Sequence, residues 1–126
     1  MNLEHGHQVA LVNWWALEAN RRGLDARLLV AIPNQGRGGG WRQARRGAYM
    51  KAEGVRAGMP DLCLFIPVNQ YHGLAIELKA PSKTARVYPA QNEMMGLLSD
   101  QGYLALVAWG WEDAMKQILL YLDGSK

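Results

Sequence analysis

The chain has 126 residues, a mass of 14.0 kDa, 49% hydrophobic residues and a formal net charge of +3, which suits one domain with a proper core, spanning 1–126, and excludes disorder over most of that length. Its single cysteine, Cys63, excludes an internal disulfide, and the lack of Cys or His partners at zinc-ligand spacing excludes a structural zinc site. No apolar run approaches the ~20 residues of a membrane span, and Met1 to His7 lacks the basic start and apolar stretch of a signal peptide. The expectation is a soluble protein of a reducing, intracellular compartment, with no membrane partner.

Apolar positions Val9, Leu11, Val12, Trp15 and Leu17 recur at helical spacing between Leu3 and Arg22, and Gly23 supplies a stop. The short apolar run Leu28 to Ile32, closed by Pro33, predicts a strand buried on both faces. Gln35 to Trp41 holds four glycines and reads as a loop, followed by a polar and basic helix over Arg42 to Glu53 that ends at Gly54. Leu62 to Ile66 and Leu74 to Leu78 predict an antiparallel hairpin across the turn Pro67 to Gly73. Pro89 opens a helix through Gln91, Met94, Leu97 and Leu98 that Gly102 ends. Leu104 to Trp109 predicts another strand, and Trp111 to Leu122, apolar at Ala114, Met115, Ile118, Leu119 and Leu122, predicts a last helix packed on the sheet. The order α, β, α, β, β, α, β, α defines an α/β fold.

Charge is unevenly distributed. From Arg21 to Arg56 nine Lys or Arg residues stand against Asp25 and Glu53, while the remaining segments sum to −4. Such an excess reads either as a solvated basic face or as a surface for phosphates, onto which arginine forks; on the second reading Arg37, Arg42, Arg45, Arg46, Lys51 and Arg56 are the candidate DNA contacts, and binding through them must weaken with salt. Trp41, between Arg37 and Arg42, is the stacking candidate. Gly36 to Gly40 lacks the Gly-Lys-Ser/Thr ending of a phosphate loop, so no nucleotide cofactor is expected.

Asp61 stands at the start of one predicted central strand, and Glu77 and Lys79 lie two apart on its hairpin partner, where alternation turns both to one face. Burying two carboxylates and one ammonium costs several kcal/mol per ion unless they are paired or bound to metal. A structural ion pair accounts for Lys79 and one acid and leaves the second acid needing a cation. Two hard carboxylates beside a lysine are what magnesium-assisted phosphodiester hydrolysis requires.

Gly58-Met59-Pro60-Asp61 followed by Glu77-Leu78-Lys79 resembles the Pro-Asp…(Asp/Glu)-x-Lys signature of the restriction-endonuclease-like superfamily. With Glu4 and Gln8, Ile32-Pro33-Asn34, Gly54 to Leu62, Gln91 and Gly102-Tyr103, the chain from Glu4 to about Ile118 resembles the VRR-NUC family of nucleases. That resemblance implies a restriction-endonuclease-like core with a mixed central sheet of about four strands flanked by helices. It also implies Mg2+ or Mn2+ held by Glu4, Asp61, Glu77 and the main-chain carbonyl of Leu78, with Lys79 as catalytic lysine and Gln91 beside the site. One departure is visible: the family triplet is Val-Arg-Arg, and here it is Val55-Arg56-Ala57.

The stand-alone phage and bacterial members that this short chain resembles imply a homodimer cutting branched DNA such as four-way junctions, in the cytoplasm of a bacterial or phage-infected cell. Relatives that favour flaps carry inserted helices, and no such insert is evident between Arg22 and Asp61. Trp14, Trp15, Trp109, Trp111, Met94, Met95 and Tyr121 supply apolar surface for either a Trp-rich core or a dimer interface. A catalytically idle DNA-binding module using the same basic face is the alternative. His5, His7 and His72 are read as surface or turn residues.

Overall fold

In the computed structural model of the chain, residues 3–33 and 41–124 are described, 41–46 by the course of their helix alone. Helix α1 spans Leu3–Arg22 and stops at Gly23, whose φ of 73° is the left-handed conformation that the next turn requires. A single 3-10 turn, Ala26–Leu28, then leads into strand β1, Leu29–Ala31. Helix α2 covers Trp41–Ala52, followed by strands β2, Leu62–Leu64, and β3, Leu74–Lys79. Helix α3, Pro89–Asp100, strand β4, Leu104–Trp109, and helix α4, Trp111–Leu122, complete the order.

The four strands form one mixed sheet in the order β1-β2-β3-β4, antiparallel except for the parallel β3-β4 pair. Alternation divides β3 between two environments. Leu74, Ile76 and Leu78 join Leu62, Leu64 and Ala108 in the core, beneath Leu11, Trp15 and Ala19 of α1 and Ala114, Ile118 and Tyr121 of α4. Ala75, Glu77 and Lys79 take the opposite face and are buried as well. The apolar face therefore holds the sheet to α1 and α4, which leaves the other face of β3 for chemistry.

The described structure follows the expected order of elements, corrects two readings and decides a third that the sequence leaves open. The segment Leu28 to Ile32 is not a strand buried on both faces: β1 is three residues long at the edge of the sheet, and Val30 is 39% exposed. Trp41 is the first residue of α2 rather than the end of a loop. Trp15 and Tyr121 belong to the core, Trp15 donating its Nε1–H to the Ala26 carbonyl at 3.0 Å and Tyr121 its hydroxyl to the Ile66 carbonyl at 2.6 Å. Trp14 and Trp111 are partly buried against that core, and Trp109 stays exposed.

Cys63 lies buried on β2, where burial pushes its thiol up to about 11, so it is an inert core side chain. No helix among the described residues is long and apolar enough to cross a membrane.

One glycine fixes the approach to the site. Gly58 has a φ of 84°, and a Cβ there would stand 2.3 Å from the Ala90 carbonyl oxygen on the first turn of α3. Gly58→Ala therefore combines backbone strain of order 1–3 kcal/mol with a main-chain clash. Urea denaturation is expected to show a loss of at least ~2 kcal/mol, and an unchanged midpoint would show that the loop before Asp61 yields freely.

Candidate active site

The β2-β3 register pairs Leu62 with Ile76. Continuing it by one residue sets Asp61 opposite Glu77 on the face away from the main core. Asp61 is 7% exposed, Glu77 1% and Lys79 3%. Pro60 and Asp61 precede β2, and the Asp61 side chain takes over the ladder there: its Oδ2 accepts the Leu78 N–H at 2.8 Å, while its carbonyl accepts the Ile32 N–H at 2.8 Å. One aspartate thus ties β3 to β1 at the start of the intervening strand.

Glu77 Oε2 lies 3.3 Å from Lys79 Nζ and accepts the Gln91 Nε2–H at 2.8 Å. Gln91 is held in turn, because its Oε1 accepts the Tyr88 N–H at 2.9 Å at the start of α3. The other oxygen, Glu77 Oε1, is buried with no hydrogen-bond partner. Burial above all, and then the charge of Asp61, push the Glu77 carboxyl up to about 7, against the downward pull of Lys79. Two acids and one ammonium lie together almost wholly buried, and a carboxylate oxygen left there without a donor is free to take a ligand. Hard oxygen donors of this kind fit Mg2+ or Mn2+, with Asp61 and Glu77 as the residues that would hold it.

Glu4 is half-buried in the first turn of α1. Among the described residues no group of three or more His, Cys, Asp or Glu converges as a metal centre, and Asp61, Glu77, Lys79 and Gln91 are brought together through the Leu78 N–H, the Glu77 carboxylate and the Gln91 amide. His7 is not a plain surface residue: its Nδ1 accepts the Trp111 N–H at 3.0 Å, closing the start of α4, where Gly110 offers no side-chain cap.

Of the six candidate DNA contacts, Lys51 and Arg56 are exposed near the end of α2, and Arg56 donates to the Lys51 carbonyl at 3.3 Å. Arg42, Arg45 and Arg46 lie on α2, with side chains outside the described residues, as is that of Trp41; Arg37 lies outside the described residues altogether. The other basic residues of this segment are engaged elsewhere: Arg21 and Arg22 pair with Glu18, Arg22 also with Asp123, and Arg27 with Asp25. Sequence reasoning passed over Tyr88, an exposed ring whose centroid lies 5.4 Å from Lys79 Nζ. An aromatic residue directly before a helix-opening proline was the available signal.

The VRR-NUC domain model matches residues 2–111. A solved structure described as a VRR_NUC domain protein is 28% identical, with 98% of this chain and 90% of that chain covered at a TM-score of 0.78. No curated protein matches the sequence. With a family match over most of its length and a fold shared with a solved VRR-NUC domain, the chain belongs to the VRR-NUC family and is a nuclease-type domain.

Proposed function

We propose that the protein is a Mg2+- or Mn2+-dependent DNA endonuclease whose reaction centre is Asp61, Glu77 and Lys79. The observation that carries this reading is the buried Glu77 Oε1 without a hydrogen-bond partner, beside a second acid and under a single ammonium. Asp61, Glu77 and the Leu78 carbonyl are the proposed metal ligands, with Glu4 added from α1. When bound, the ion supplies charge that polarises the phosphoryl oxygen and acidifies the attacking water.

The chain's own residues supply the rest. Asp61 is locked by the Leu78 N–H, and Glu77 by Gln91, so neither carboxylate must reorganise as substrate arrives. The Lys79 ammonium, held in a low-dielectric pocket, offsets the negative charge that builds on the phosphoryl group and orients the water. Lys51 and Arg56, with Arg37, Arg42, Arg45 and Arg46, are proposed to take DNA phosphates. The finer reading is a cytoplasmic homodimer acting on branched DNA, four-way junctions first, since two symmetric cuts are most simply made by two sites about a two-fold axis. Exposed Trp109, with half-buried Met94 and Met95, offers apolar surface for such an interface.

The test is a cleavage panel of single strand, duplex, flap and four-way junction with Mg2+, Mn2+ and EDTA, alongside light scattering at micromolar concentration. Metal-dependent cutting that is strongest on junctions, by a dimer, is expected. DNA binding without cutting, and without divalent-ion binding in isothermal titration, would make the domain an idle binder. A monomer that cuts linear duplex as readily as a junction would refute the finer reading.

A further inference from the structure

The start of α3 carries an unusual choice of residue. An N-cap is best filled by Ser, Thr, Asn or Asp, whose short side chains satisfy the free N–H groups of the first turn. Here the position is Tyr88, extended at φ −89° and ψ 156°, and its side chain makes no cap hydrogen bond. Gln91 covers the Tyr88 N–H instead, and Pro89 has no N–H to satisfy. The ring is therefore not required by the helix.

Nor is it required by the core, since Tyr88 is 57% exposed. It sits instead at the entrance to the site, with Lys79 Nζ 5.4 Å from the ring centroid, inside the ~6 Å reach of a cation–π contact. The segment between β3 and α3 adds two exposed cations, Lys83 and Arg86, and no acid. Ser82 and Thr84 brace it through a 3.0 Å hydroxyl contact and a 3.2 Å bond from the Thr84 N–H to Ser82 Oγ.

An exposed aromatic among cations on a braced loop is the combination that holds unpaired nucleic acid, with stacking for the bases and charge for the backbone. We propose that Tyr88 stacks on an unpaired nucleobase next to the phosphate that Lys79 meets, with Lys83 and Arg86 on the flanking phosphates. The assignment of the phosphate to Lys79 rests on the nuclease reading above. The geometry then follows: a base hangs one sugar away from its phosphate, and the ring lies beside the ammonium that the phosphate would approach. The substrate class is DNA with at least one unpaired base at the point of attack.

The probes are fluorescein-labelled oligothymidylate and an abasic oligomer of equal length and charge, measured by anisotropy in EDTA against the intact 126-residue chain, Tyr88→Leu and Tyr88→Trp. The wild-type protein is expected to prefer the base-bearing strand, Tyr88→Leu to lose roughly 5- to 100-fold of affinity for it while binding the abasic strand unchanged, and Tyr88→Trp to restore the preference. Retention of the wild-type preference by Tyr88→Leu, or no preference in the wild type, would overturn the proposal. Slower cleavage by Tyr88→Leu with base preference intact would do so too, since the ring would then only position Lys79. Cleavage of the same strands in Mg2+ is scored separately: its absence from wild-type protein counts against the nuclease reading, while the EDTA binding data still decide on Tyr88.

Discussion

Asp61→Asn and Glu77→Gln are expected to reduce metal-dependent cleavage by roughly 1,000-fold or more, at least as much as removing a single preorganised charge-stabilising group from an active site. Both replacements keep the volume, and Asn at 61 keeps an oxygen able to accept the Leu78 N–H that Asp61 now accepts at 2.8 Å. The fold is therefore expected to survive, as far-UV circular dichroism would record, and the loss belongs to chemistry. Alanine at either position should abolish cutting too, but Asp61→Ala mixes chemistry with structure, because it also leaves the Leu78 N–H without its partner. Glu4→Gln, at a half-buried position in the first turn of α1, is expected to weaken cleavage less than either. Full cutting by Asp61→Asn at matched Mg2+ would remove Asp61 from the reaction centre.

Metal-free protein is expected to lose stability as pH rises from about 5 to about 8, and Mg2+ is expected to return it. The Glu77 carboxyl, ordinarily at 4.5, stands at about 7 in the folded chain. The folded state therefore keeps a proton that the unfolded chain releases, and the stability this group contributes is full below 4.5 and lost as pH passes 7. The shift corresponds to roughly 3 kcal/mol across that window. A divalent ion replaces the proton, so saturating Mg2+ should flatten the slope and make metal affinity climb with pH over the same range. Urea denaturation at a series of pH values, with and without Mg2+, reads both effects. Glu77→Gln should erase this component of the slope, and a slope unaltered by that variant would assign it to another group.

The legible parts of the molecule were those whose signals are local. Gly23 stops α1, Pro89 opens α3, and the 3.6-residue spacing of Ala114, Met115, Ile118 and Leu122 marks α4, each through residues only a few positions apart. The acidic pair was legible for a related reason: a period of two is enough to set Glu77 and Lys79 on one face, and a hairpin is enough to bring Asp61 alongside. The edge position of β1 was not, because an apolar run such as Leu28 to Ile32 looks the same beside one neighbour as between two, and its partner β2 lies about thirty residues away. Tyr88 escaped notice for the same physical reason. What singles it out is an exposed ring beside Lys79, and both exposure and that neighbour are decided by the whole fold rather than by the adjacent residues.

The sheet's outer rim at β4 carries a last consequence. In the parallel pairing with β3, the Leu104 and Gly110 N–H groups point to the Gly73 and Lys79 carbonyls, so by alternation those of Ala105, Val107 and Trp109 turn outward. The outermost strand of a sheet is a template on which a foreign strand can add, the first step of uncontrolled self-association. Asp113 occupies the template at one point, its Oδ2 accepting the Trp109 N–H at 2.9 Å. Any strand that zips onto β4 must therefore stop short of Trp109, the residue paired with Lys79. The carboxylate of Asp113 acts as a stopper, holding accidental polymerisation of the sheet back from the Lys79 end of β3.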